Sequence, residues 1–315
     1  MSGSERPGVL LTTYGSPASL EREDIREYLG RVRGGREPDP DLVDEFTRRY
    51  RVITGSPLIE ITRAQSAALA EALGWPVQVG MRFSEPSILA GLTALAEAGV
   101  STVAAIILSP QYSPLLMGGY ARAIDEARTM LGDGAPDVFV AGAWHEEPAF
   151  AAALARRVVE ALAGLLPADR GTVRVLMTAH SLPKRVAEQE PDYLAQLPAT
   201  AEAVALKAGL SDEDWTFCWQ SAGHEPGEWM KPDFADLMPE IAAQGGRSVL
   251  VVPVQFLADH LEILYDVDVG AREQAERCGL SFQRIASLNA DPDLIEALAA
   301  VARRTLKTGD PAVLA

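Results

Sequence analysis

The stretch QFLADHLEILYDVD, Gln255–Asp268, holds the densest set of groups able to do chemistry. Glu262 and Asp266 are four residues apart, so on a helix they share one face, with Tyr265 beside them and Asp268 continuing the acidic run. Carboxylate oxygens bind hard or borderline divalent cations and shed them readily, so such a row is a path for a metal ion. A bare E-x-x-x-D is usually only a solvated helix face. Here it directly follows the apolar run Val249–Gln255, read as a buried strand, which places its carboxylates from that strand's C-terminal end onward. His180 closes another apolar run, just before Ser181-Leu182-Pro183. A lone histidine is more often buried and satisfied, but at a strand exit an imidazole can accept protons near neutral pH or touch a metal. His260 is read as holding the turn, and His145 and His224 carry no signal beyond loop position.

Positive charge gathers earlier in the chain. GRVRGGR places Arg31, Arg33 and Arg36 in a glycine-rich loop, and RRYR adds Arg48, Arg49 and Arg51. Ser56 then opens the next helix, where a hydroxyl and free backbone N–H groups could receive an anion. In a chain with net charge −16 these arginines read as a clamp for carboxylate or phosphate, although any single one is as readily a surface charge. The same acidity argues against nucleic acid as a partner. No Walker sequence, G-x-G-x-x-G, G-x-S-x-G or H-E-x-x-H is present. Two cysteines, Cys218 and Cys278, are too few for an iron–sulfur cluster or a disulfide framework, so no cluster is expected; nor is any other tightly bound cofactor.

The elements that must position these groups alternate between short apolar runs and longer amphipathic segments, the pattern of parallel sheets with crossover helices. Strands are expected at Val9–Thr13, Val77–Arg82, Val103–Ser109, Val138–Trp144, Val173–Thr178, Thr216–Ser221, Val249–Gln255 and Ser281–Ile285. Helices are expected at Leu42–Tyr50, Thr62–Ala72, Pro86–Glu97, Gly119–Met130, Ala149–Leu165, Leu194–Ala208 and Pro292–Lys307. The 315 residues suit two domains, and no apolar run approaches the roughly 18 residues of a membrane span. MSGSERPG carries no apolar signal core, so no integral membrane contact and a cytoplasmic location are expected.

Two stretches align without a gap: VLLTTYGSP at Val9–Pro17 and VLMTAHSLP at Val175–Pro183, with Tyr14 opposite His180. VQVGMRFSEP (Val77–Pro86) pairs with FCWQSAGHEP (Phe217–Pro226), each ending in a Glu-Pro helix start, and VAAIILSP (Val103–Pro110) with VLVVPVQF (Val249–Phe256). Buried parallel strands resemble one another for compositional reasons, which weakens the last two pairs but not the first. The expected fold is α/β: two Rossmann-like, doubly wound, parallel-sheet lobes related by duplication, with a cleft between them. Ligands of such sheets bind beyond the carboxyl ends of the strands, where Tyr14 and His180 stand.

Together YGSP, SPL, AHSLP, WQS and VPVQFLADHLEILYDVD, in this order over nearly the whole chain, resemble the ferrochelatases, enzymes that insert ferrous iron into a porphyrin late in haem synthesis. The resemblance implies a lobe at 1–148 on the porphyrin propionate side, a lobe at 149–290 on the metal and proton side, and a C-terminal helix within 291–315 packing back on the first lobe. It implies that His180 is the metal-site histidine that also receives porphyrin N–H protons, that Glu262 is its acidic partner, and that Asp266 is a weaker next member of an acidic relay. Gly270 stands where several relatives continue that relay with a carboxylate, leaving Asp268 as a substitute. Tyr14 resembles the axial ligand to product iron in the soluble bacterial branch that acts on coproporphyrin III. Arg33, Arg49, Ser56 and Tyr120 fall at or near that branch's propionate contacts. Four propionates on coproporphyrin against two on protoporphyrin IX fit an arginine-rich rim, so coproporphyrin III and Fe2+ are the expected substrates, with protoporphyrin IX the alternative. A downstream haem-pathway enzyme is the protein partner the resemblance leaves room for. The rivals are a cobalt or sirohydrochlorin chelatase, which usually relies on several metal-facing histidines, and a non-catalytic two-lobed porphyrin or haem carrier.

Overall fold

In the computed structural model, which describes residues 6–165, 171–223 and 227–308, the chain forms two α/β units. Residues up to Trp144 and from Asn289 onward make the first, and His145–Leu288 make the second.

In the first unit β1 (Pro7–Thr13), β2 (Val77–Met81), β3 (Thr102–Ile107) and β4 (Asp137–Val140) form a parallel sheet in the order β2-β1-β3-β4. Val9, Leu10 and Leu11 in the central strand are wholly buried, which is why β1 reads as a continuous apolar run rather than an alternation. Helices α1 (Arg22–Val32), α2 (Pro40–Val52), α3 (Leu58–Leu73), α4 (Ile88–Glu97) and α5 (Pro114–Leu131) complete the layers. Leu10 packs with Ile88, Leu92 and Leu95 of α4 and Tyr120 and Ile124 of α5 in one core cluster.

The second unit repeats this plan. Its strands β5 (Val173–His180), β6 (Trp215–Gln220), β7 (Ser248–Pro253) and β8 (Ser281–Arg284) form a parallel sheet in the order β6-β5-β7-β8. Its helices are α6 (Pro148–Ala163), the short α7 (Lys184–Ala187), α8 (Pro191–Ala208), α9 (Phe234–Ala243), and a π-helix over Glu262–Ala271 that runs into α10 (Arg272–Arg277). The C-terminal helix α11 (Pro292–Thr308) belongs to the first unit and packs on α3 and β3. No helix among the described residues is long and apolar enough to cross a membrane.

The duplication extends to register. Val9 pairs with Val77 and Ala104, and its counterpart Val175 with Trp215 and Leu250. Leu108 N–H donates to Thr12 O at 2.9 Å as Val254 N–H does to Thr178 O at 3.0 Å. The matching of Val103–Pro110 with Val249–Phe256 therefore stands. The other matching is corrected: Val77 corresponds to Trp215, two residues before Phe217. The counterpart of Glu85-Pro86-Ser87 is Lys231-Pro232-Asp233, because Met81 N–H donates to Pro86 O at 2.7 Å and Trp219 N–H to Pro232 O at 2.8 Å. The helix starts follow suit: Ser87 caps α4, and Asp233 caps α9 with a reciprocal bond from the N–H of Asp233 to the Asp236 side chain. Glu225-Pro226, expected to begin a helix, lies outside the described residues, as does His224.

Three further differences from the sequence reading bear on the site. Arg31 is not in a loop but in the last turn of α1, held down by buried Ile25, Tyr28 and Leu29; only Gly34 and Gly35, with φ of 68° and 85°, make the glycine turn. Strand β5 runs through to His180, which pairs with Gln220. The acidic segment does not begin at the end of β7, since 254–261 intervenes before the π-helix. With i→i+5 bonding, each turn of that helix takes in one residue more than an α-turn, so the residue one turn on from Glu262 falls between Asp266 and Val267.

Candidate functional site

In the second unit the fold brings His180 to Glu262. His180 is the last residue of β5, and its Nδ1 lies 2.5 Å from the Ser181 carbonyl oxygen. A carbonyl only accepts, so Nδ1 carries a proton and, in the neutral ring, Nε2 holds the lone pair. That lone pair faces Glu262 Oε1 at 3.6 Å. Two acceptors face one another there, an arrangement that a proton or a cation between them would satisfy. Both side chains are partly open to solvent, 28% for His180 and 39% for Glu262, so an incoming ion can exchange its waters for them.

Their surroundings are fixed by hydrogen bonds. The His180 N–H donates to Gln255 Oε1 at 2.8 Å, and Gln255 Nε2 donates to the hydroxyl of buried Tyr193 at 2.6 Å. The Glu262 N–H donates to His260 Nδ1 at 3.1 Å, so His260 caps the first turn of the π-helix, and burial pushes its pKa down. The Trp229 ring lies 6.5 Å from the His180 ring, centroid to centroid. Asp266 sits half-buried in the π-helix. Asp268, the substitute expected for the outer metal position, is engaged elsewhere: Arg284 Nε and Nη2 donate to its two oxygens, each at 2.8 Å. Burial is the largest single influence on Arg284 and alone would lower its pKa, but the bonds and charges of Asp268 and Asp259 together outweigh it and the pKa rises. Among the described residues no three His, Cys, Asp or Glu side chains converge to hold a metal.

In the first unit Tyr14 follows β1 and is 46% exposed, with the Phe83 ring edge-on at 4.8 Å. Tyr120 is buried on α5, and burial, with Tyr14 nearby, pushes its phenol pKa up. Between them lies a residue the sequence reading missed. The Arg82 guanidinium stacks 4.6 Å from the Phe83 ring centre and 5.1 Å from that of Tyr120, with no carboxylate or hydrogen-bond acceptor among the described residues. Two aromatic faces hold the cation while its N–H donors stay unspent. It rests over Gly119, where any Cβ would overlap the guanidinium. The signal in the sequence is a basic residue directly after a buried strand and directly before an aromatic one.

The expected rim residues divide. Arg33 caps α1 and is exposed, its guanidinium without a partner among the described residues. Arg31, two residues earlier, reaches the Tyr14 cluster, donating from Nε to Phe83 O at 2.8 Å. Arg49 donates to Glu45 at 2.8 Å, and Glu45 is held down to about 2, first by Arg48 and then by Arg49. The Ser56 hydroxyl accepts from Leu58 N–H at 3.4 Å, securing the start of α3.

The sequence profile of the family described as Ferrochelatase matches residues 6–306. A Ferrochelatase of Deinococcus radiodurans is 38% identical over 303 residues, covering 94% of this chain and 95% of that one. A Coproporphyrin III ferrochelatase of Geobacillus is 33% identical over 313 residues, covering 96% and 99%. Among solved structures, SirB from Bacillus subtilis with Fe3+ superposes with a TM-score of 0.61 at 13% identity, covering 97% of this chain and 98% of that one, a likeness of fold.

Proposed function

The chain belongs to the ferrochelatase family, a porphyrin metal chelatase of haem biosynthesis with Fe2+ as substrate, and from that premise we propose that its porphyrin is coproporphyrin III and its product coprohaem III. The observation that carries this reading is the cationic side of the first unit: Arg82, in the ring cluster that includes Tyr14, and exposed Arg33, neither with an acidic partner among the described residues. Four propionates need several such donors, two need fewer, and an arginine already neutralised by an internal acid contributes little. Ser56 and Tyr120 complete the propionate contacts in this reading, with Arg49, already shared with Glu45, the weakest member. A relative whose name specifies coproporphyrin III aligns over almost the whole chain, while another is named by iron insertion alone.

Iron insertion exchanges two porphyrin N–H protons for one dication, so the chain must receive protons and strip water from Fe2+. The Nε2 lone pair of His180 accepts the protons one at a time, passing the first to water at its open face before the second leaves the porphyrin. The Glu262 carboxylate replaces water on the incoming ion, with Asp266 as a weaker relay member, and weak binding suits an ion that must move on. Tyr14 supplies the axial phenol to product iron.

The test is anaerobic ferrous insertion with coproporphyrin III and protoporphyrin IX side by side, followed by absorbance, with His180→Ala as the site control. Faster insertion into coproporphyrin III and a folded but inactive H180A are expected. Preference for protoporphyrin IX would sink the substrate assignment, near-normal turnover by H180A would sink the role of His180, and binding without turnover would favour a carrier.

A further inference from the structure

At the end of β5 the main-chain ladder runs out on one side. The last pair toward β7 is Thr178 with Pro253, and Val254 N–H donates to Thr178 O at 3.0 Å. Beyond it the chain leaves the sheet through 254–261, so no β7 carbonyl is in register for the next donor, the N–H of His180. An unmet buried N–H is costly, and here it belongs to the residue whose ring must be aimed. The Gln255 side chain supplies the missing rung, accepting from His180 N–H at 2.8 Å.

The Gln255 amide is itself fixed from behind. Its Nε2 donates to Tyr193 Oη at 2.6 Å, and Tyr193 is a fully buried side chain of α8. Only one orientation of the amide gives an oxygen to the His180 N–H and a nitrogen to the phenol, so both ends select it. Burial, with the nearby negative charges of Glu262 and Glu190, pushes the Tyr193 pKa up and keeps the phenol neutral. The internal duplication gives an independent comparison. The first-unit counterpart of Gln255 is Ser109, since Ala104 corresponds to Leu250, and the Ser109 hydroxyl bonds the Gln111 carbonyl at 3.0 Å instead. The side-chain rung occurs in the unit that carries the histidine.

We infer that Gln255, anchored by Tyr193, is a positioning residue for iron insertion: it locks the backbone of His180 so that Nε2 stays aimed at the Glu262 carboxylate. The inference rests on the reading of His180 given above and goes beyond it. Holding the reacting lone pair in place lowers the barrier of the chemical step and leaves porphyrin binding alone, so loss of the lock falls on kcat.

The experiment measures kcat and porphyrin KM for ferrous insertion into coproporphyrin III by Gln255→Leu, Gln255→Glu, Tyr193→Phe and His180→Ala, each at a temperature well below its own Tm. Gln255→Leu is expected to lose about tenfold or more in kcat with porphyrin KM within about twofold of the parent. Gln255→Glu keeps an oxygen for the His180 N–H and offers the other to the Tyr193 O–H, so its kcat is expected to return to within about threefold. Tyr193→Phe removes only the anchor and is expected to give an intermediate fall in kcat at unchanged KM. If Gln255→Leu does not fold, the Tyr193→Phe and Gln255→Glu comparison decides alone. Parental kcat in Gln255→Leu or Tyr193→Phe, with His180→Ala inactive, overturns the positioning role while sparing His180. A His180→Ala enzyme with parental kcat overturns the site reading and this inference with it.

Discussion

Replacing Asp268 with asparagine separates a structural carboxylate from a metal-handling one. Arg284 is 11% exposed and Asp268 27%, and two bonds of 2.8 Å join them side-on. The same guanidinium reaches Asp259 at 3.3 Å, the Ile285 carbonyl at 2.9 Å and Ser287 at 3.0 Å, so it ties β8 to the π-helix and to the segment before it. Breaking a buried ion pair by removing one partner costs about 3–5 kcal/mol; with a quarter of Asp268 open to water the expected loss is about 2–3 kcal/mol. At roughly 2–4 °C per kcal/mol for a protein near this size, Tm should fall by about 4–12 °C. In the Asp268→Asn, Arg284→Gln double variant the loss should be smaller than the sum of the singles by about 1–3 kcal/mol, because the two residues share one interaction. Thermal unfolding followed by circular dichroism measures both, and steady-state insertion should show an unchanged KM for Fe2+. An unchanged Tm with a severalfold higher KM for Fe2+ would refute the reasoning and return Asp268 to the metal path.

Two further outcomes follow from the first unit. The Glu45 pKa is held at about 2, so its contribution to stability is full above the ordinary carboxylate value of 4.5 and is lost as pH falls through about 2. Because the pairs are partly exposed, Glu45→Gln should cost only about 0.5–1 kcal/mol at pH 7, and nothing at pH 2, in chemical denaturation; an equal cost at both pH values would contradict the ion-pair origin. Gly119→Ala should keep the fold, since the displaced atoms are the flexible end of Arg82. It should raise the coproporphyrin KM by about tenfold, the worth of one charge-assisted hydrogen bond, with kcat little changed; an unaltered KM would remove Arg82 from the propionate contacts.

The eight strands were legible because buried parallel strands are short apolar runs bounded by turns, and such runs are visible without tertiary information. Their mutual register was not. The Glu-Pro dipeptide common to Val77–Pro86 and Phe217–Pro226 sets an alignment of β2 with β6 that is two residues out, and because side chains alternate with period two, such a shift keeps each on its own face and leaves no mark in the apolar pattern. The end of helix α1, from Gly30, reads as part of a glycine-rich loop because Gly30 and the arginines around it mask a buried i, i+3, i+4 pattern at Ile25, Tyr28 and Leu29. Spacing alone offered Asp268 as a metal ligand, since the arginine that occupies it lies sixteen residues on. Arg82 and Gln255 were passed over because each is one polar residue beside an apolar run, and their significance lies in what the fold sets against them.

The repeat explains why the chain separates its charges. An arginine that holds a propionate must not be neutralised by an internal acid, and a carboxylate that receives Fe2+ must not be held by an internal arginine. The two units answer the two demands from one sheet plan. The first places Arg82 between Phe83 and Tyr120, so that the cation is fixed by ring faces with no acid paired to it among the described residues. The second places Glu262 opposite an imidazole lone pair and gives its nearby arginine, Arg284, to Asp268 and Asp259. At equivalent backbone positions Tyr14 and His180 then differ in the atom they present, a phenol oxygen in the first unit and a ring nitrogen in the second; in the proposed reaction the first is the ligand for iron already bound and the second the acceptor of the protons that leave before it binds.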